Sequence, residues 1–142
     1  MSLWRRLAIE KLPELHKQIA QADNAYGVWI ALRDELNCIY EREPVDAALI
    51  ARIYEYASWC WLKSGNEDLA TAVLVCFYEH LPTDLPIRKD VARWLSVEDF
   101  EALRSTFGYH LSEAEVEEFA GEFYRHKPGQ TRPYRRPSPR TA

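Results

Sequence analysis

The sequence predicts an all-α fold, a compact bundle of about seven helices, on three observations. Apolar residues recur at the helical period of about 3.6 in most segments, and capping residues stand just ahead of them. No segment alternates apolar and polar side chains over a strand's length. Only five glycines occur in 142 residues, which disfavours β and Gly-loop architectures. A short solenoid of helical hairpins is the alternative; the absence of an internal repeat favours the bundle.

The elements follow in order. Residues 3–11 predict a helix that runs into Leu12-Pro13, and Pro13 suits the first turn of a second segment reaching about residue 22. Asp23 and Asn24 are cap residues for a helix whose stripe is Trp29, Leu32, Leu36, Ile39 and Tyr40; Glu43-Pro44 closes it. Asp46 caps the next, with Ile50, Ile53, Tyr54, Ala57, Cys60 and Trp61 on one face and Gly65 as its stop. Asn66, Glu67 and Asp68 then open a helix over residues 69–81 that is apolar almost all round, as a central element is. After a Pro82–Pro86 turn comes a short helix over residues 88–95. Ser96 with Asp99, and Ser112 with Glu115, have capping-box spacing and start two more, divided at Gly108.

The chain fits one helical domain, residues 1–126, followed by a basic tail over 127–142. The tail is rich in proline and arginine and has no periodicity, which predicts disorder. It carries Lys127, Arg132, Arg135, Arg136 and Arg140 and no acid, so the body holds 13 basic and 22 acidic side chains, a net of −9. An acidic body repels phosphate and steers basic protein partners, so a protein partner is expected and nucleic acid is not. The longest apolar run is too short for a membrane span, and the N-terminus lacks the apolar stretch of a signal peptide. Cys38, Cys60 and Cys76 are odd in number and set among apolar residues, which predicts reduced, buried thiols and a cytoplasmic location.

The stretch Val75-Cys-Phe-Tyr-Glu-His-Leu-Pro82 concentrates the candidate chemistry in Cys76, Glu79 and His80, which His110 could join through the fold. On a continuous helix Cys76 and His80 stand at i and i+4, on one face. A catalytic thiol needs a helix N-terminus or fixed positive charge, whereas Cys76 sits among apolar side chains that raise its pKa. Two ligands do not make a structural zinc site, and no paired short spacing is present. The expected role is structural: His80 satisfies carbonyls at the helix end and Glu79 fixes the turn or pairs with a base. No Gly-rich phosphate loop, G-x-S-x-G or H-E-x-x-H occurs, so no catalytic residue, metal or other cofactor is implied.

A second stripe on the fourth segment, Leu49, Tyr56 and Trp59, means that this helix is sandwiched or that Tyr56 and Trp59 form an exposed aromatic patch. They are the candidate interaction residues, although burial is the commoner fate of such side chains.

With "ALRDEL", "IARIYEYASWC" and "VLVCFYEHLP", the chain resembles a family of small uncharacterised bacterial proteins, a domain of unknown function, over about residues 26–122. The resemblance implies an all-helical fold and supplies no activity or catalytic residue. Immunity proteins of bacterial toxin systems, often small, acidic and helical, are a class-level analogy. The resulting expectation is a non-enzymatic interaction protein, of immunity or adaptor type, that meets a basic partner through an acidic or aromatic surface. The alternative is a small metal-dependent or thiol enzyme centred on Cys76 and His80.

Overall fold

The computed structural model describes residues 1–127, and among them the regular structure is entirely helical. Nine α-helices occur: α1 (Leu3–Lys11), α2 (His16–Gln21), α3 (Ala25–Glu41), α4 (Ala47–Leu62), α5 (Glu67–Cys76), α6 (Leu85–Trp94), α7 (Val97–Ala102), α8 (Arg104–Phe107) and α9 (Glu113–Arg125). Two 3₁₀ turns, Pro13–Leu15 and Tyr78–His80, complete them. One added helix arises where the expected segment after Ser96 divides at Leu103 into α7 and α8, while the expected second segment opens as a 3₁₀ turn before α2.

The caps form as their side chains require. Asn24, Asp46 and Asn66 each accept a hydrogen bond from the backbone N–H three residues on, at 3.0–3.1 Å. Ser112 and Glu115 make a reciprocal capping box. Ser96 makes only its half, bonding the Asp99 N–H at 3.0 Å; aspartate is one methylene shorter than the usual glutamate. Gly65 takes φ 65°, the left-handed conformation that glycine adopts without a Cβ clash, just past the end of α4. Pro86 lies in the first turn of α6 instead of before it, where its missing N–H leaves no bond unmade.

The main correction concerns the expected helix over residues 69–81. The last α-type bond is Phe77 N–H to the Val73 carbonyl at 3.1 Å; the next two, His80 to Phe77 and Leu81 to Tyr78, are of 3₁₀ type. Pro82 has no N–H to give the Tyr78 carbonyl, so an α-helix could not run on through it. Phe77 leaves helical geometry at φ −120°, ψ −70°, with its ring fully buried against Trp29, Tyr54 and Tyr78.

α5 packs against both α3 and α4, while α6 bridges α3 and α9, so the helices close into a compact bundle. Trp29, Tyr56, Phe77 and Tyr78 fill its centre, and Phe100, Phe107, Phe119 and Phe123 pack together under α9. Arg52 of α4 fastens the N-terminal segment, donating to the Lys11 carbonyl at 2.9 Å and bonding the Glu14 carboxylate. Among the described residues no helix is long and apolar enough to cross a membrane. The expected tail lies outside them except for Lys127. Its ammonium donates to the Ala92 and Leu95 carbonyls at 2.9 and 2.7 Å, so this residue belongs to the body.

Candidate functional site

The break at Phe77 decides what the Cys76–His80 stretch can do. Cys76 is the last residue of α5 and His80 lies in the 3₁₀ turn, so they are not one turn apart on one helix. Cys76 is buried at 6% exposure, and burial pushes its thiol above the usual range, against the opposing influence of Arg33. A thiol held protonated is a poor nucleophile.

The turn brings Glu79 and His80 to the loop after α8. Glu79 is buried, and its Oε1 stands 2.8 Å from Nε2 of His110, which is more exposed. The His80 and His110 rings lie with centroids 4.6 Å apart and planes tilted by 33°. Three of the four expected residues, Glu79, His80 and His110, therefore meet. Cys76 stays beside them as a core thiol. Burial, then Arg33 and His110, hold the His80 imidazole below its ordinary range, opposed by Glu79 and Asp84. Asp84 is joined to α3 by the Asn37 side-chain amide at 3.4 Å.

His80 does not take the expected role of satisfying helix-end carbonyls. Its side chain has no hydrogen-bond partner among the described residues. The His80 carbonyl is itself bonded by the Thr83 N–H at 3.0 Å and hydroxyl at 2.7 Å. A 3₁₀ turn closes its own carbonyls and leaves the imidazole unengaged.

Tyr56 is not an exposed interaction residue. It is fully buried, stacked between Trp29 at 5.5 Å and Trp59 at 6.0 Å, and its hydroxyl donates to the Trp4 carbonyl at 2.7 Å. α1 covers this side of α4, so the second stripe faces a neighbour instead of water. Trp59 is half-buried at its edge. Cys38, expected to be buried, is exposed on α3; Cys60 is buried, with its thiol pushed up to about 12 by burial.

Exposed apolar and acidic side chains occur together on α3 and α5, although apolar side chains outside these two helices, among them Leu85 and Tyr109, are exposed as well. Tyr26, Ile30 and Val75 are 40%, 45% and 41% exposed. Asp23 and Asp34 belong to the α3 side, and Glu67 and Asp68 to the first turn of α5. None of these four exposed carboxylates has an ion-pair or hydrogen-bond partner among the described residues. The two N-termini share one open groove with Trp4 and Arg5. Arg5 makes no ion pair with that groove's acids; its guanidinium donates to the Ile19 and Ala22 carbonyls at the end of α2, both at 2.7 Å. The spacing of Tyr26 and Ile30, one turn apart, was the available signal in sequence; Val75 carried none, because α5 is apolar on every side.

No family model, curated protein or solved structure matches the chain.

Proposed function

We propose that the protein is a non-enzymatic interaction module, of immunity or adaptor type, that seats a basic and partly apolar segment of a partner protein on the α3–α5 face. One observation carries the reading: four exposed carboxylates without ion-pair partners among the described residues, Asp23 just ahead of α3, Asp34 on it, and Glu67 and Asp68 on α5, accompany three exposed apolar side chains of these helices. Apolar side chains exclude water from the contact, and the surrounding acids select the sign of the partner and speed its approach. The burial and upward shift of the Cys76 thiol argue against a nucleophile at that residue.

A photo-crosslinking amino acid placed at Ile30 or Val75, in cells that make the protein, tests this. It should give one discrete adduct whose linked partner peptide is net positive. The same probe at Ala48 or Ala114, exposed on α4 and α9, should give none. Equal adducts at all four positions, or an acidic linked peptide, would defeat the proposal.

A further inference from the structure

We infer that residues 128–142 dock along the exposed row of side chains on α3, so that the protein covers its own acidic face and a partner must displace them. The displacement rests on the proposed role of the α3–α5 face; the docking rests on the row itself and on charge. The exposed side chains of α3 are Tyr26, Ile30, Asp34, Cys38 and Glu41, three or four residues apart, which puts them in one row along the helix. Asp23 continues the row ahead of α3. Asp23, Asp34 and Glu41 make no ion pair among the described residues, and the neighbouring Arg42 is already bonded to Glu35 at 2.7 Å. The row is acidic at intervals and apolar between, and at 1.5 Å per residue α3 is about 26 Å long.

The Glu41 end of the row lies towards the place where the tail leaves the body. The Tyr40 hydroxyl donates to Asp90 of α6 at 2.5 Å and the Asn37 amide to Asp84 at 3.4 Å, so α6 is fastened to the C-terminal half of α3. Lys127 is held on α6 by the Ala92 and Leu95 carbonyls. The fifteen residues that follow it span at most about 50 Å when fully extended, enough to run the row from Glu41 to Asp23.

Charge selects this path. Residues 128–142 carry Arg132, Arg135, Arg136 and Arg140, no acid, and one aromatic ring, Tyr134. The cleft beside Lys127 is lined by Lys89, Arg93 and His126, and its carboxylate, Asp90, is engaged by Tyr40 and Trp94. Like charge keeps the arginines out of that cleft. On α9, Glu122 and Glu117 already serve Arg88 and Arg104, and that helix exposes no large apolar side chain for Tyr134 to cover. Along α3 the arginines meet unpaired carboxylates, and Tyr134 meets exposed apolar side chains. Tethering holds the segment at a millimolar effective concentration, so a weak, salt-sensitive contact suffices to compete with a partner of the same chemistry.

The test uses the purified full chain with a photo-crosslinking amino acid at Ile30, or at Ala114 among the acids of α9. At low ionic strength the Ile30 probe should link to residues 128–142 of the same chain, as mass spectrometry of the digested monomer would show, and the Ala114 probe should not. The combined substitutions Arg132→Gln, Arg135→Gln, Arg136→Gln and Arg140→Gln, or salt at about 1 M, should cut the Ile30 link at least about fivefold. In cells the four substitutions should raise the yield of the partner adduct at Ile30 at least about twofold. Equal links from both probes, links only between two chains, a link indifferent to the four substitutions, or a partner adduct that they leave unchanged would overturn the inference. A partner adduct in cells with no intramolecular link in the purified chain would overturn it and leave the α3–α5 reading in place. An intramolecular link with no partner adduct would support the docking and defeat that reading.

Discussion

At the residue scale, single side chains divide between core and surface in ways that chemistry can read. The thiols differ most. Cys38 is exposed, whereas Cys60 and Cys76 are buried with thiols pushed upward, Cys60 to about 12. A thiol reagent at neutral pH should therefore label one cysteine quickly in the native protein and all three only after unfolding, as mass spectrometry of the digested adduct would show. Rapid native labelling at Cys76 would contradict its place in the core. Tyr56 offers a second check. Removing a fully buried ring that stacks on two tryptophans should destabilise the fold by about 3–5 kcal/mol in Tyr56→Ala, measured by denaturant titration. A docking residue would lose binding with little loss of stability. His80 gives a pH dependence whose sign follows from its environment. Its folded imidazole protonates below the ordinary value of 6.5, so the unfolded chain binds the proton first. The associated stability is present above pH 6.5 and declines as the pH falls below it. His80→Gln should flatten that decline in denaturant titrations on either side of pH 6.5.

At the element scale, the helices whose ends are written in capping chemistry were legible. Asn24, Asp46, Ser96 and Ser112 each act within three residues of themselves, so the sequence contains the whole interaction. The end of α5 was not legible, because Phe77 is drawn out of helical geometry by rings from α3 and α4 that periodicity cannot see. The pairing of Glu79 with His110 joins residues 31 apart in the chain and has no local signature. The burial of Tyr56 depends on α1 lying across α4, and that contact is likewise nonlocal. One such attachment is testable by acid. The bond from Arg52 holds the Glu14 carboxyl down to about 2, so its contribution is fully present above about pH 4.5 and is lost as the pH falls through 2. Glu14→Gln should remove that acid-side slope and loosen α1 from α4, seen as faster amide exchange in α1. Both side chains are substantially exposed, so the loss of total stability should be small.

At the scale of the whole molecule, the distribution of charge matters more than its sum. The net −4 divides into an acidic body and a basic C-terminal segment. Within the body, Arg88 is paired with Glu122 and Arg104 with Glu117, which uses part of the acidity of α9 internally. Glu35 of α3 is likewise paired with Arg42, whereas Asp34 on α3, Asp23 just ahead of it, and Glu67 and Asp68 at the start of α5 have no ion-pair partner among the described residues, and these helices also expose Tyr26, Ile30 and Val75. That contrast is the basis for placing the partner there. The most direct measurement is the affinity of the crosslinked partner segment, as a synthetic peptide, for two charge-neutralised variants. Neutralising Asp23, Asp34, Glu67 and Asp68 to their amides should weaken binding by about tenfold or more and flatten its salt dependence. Neutralising Glu113 and Glu118 on α9 should change neither. Equal losses from both variants, or a loss only from the α9 variant, would contradict the assignment of the α3–α5 face.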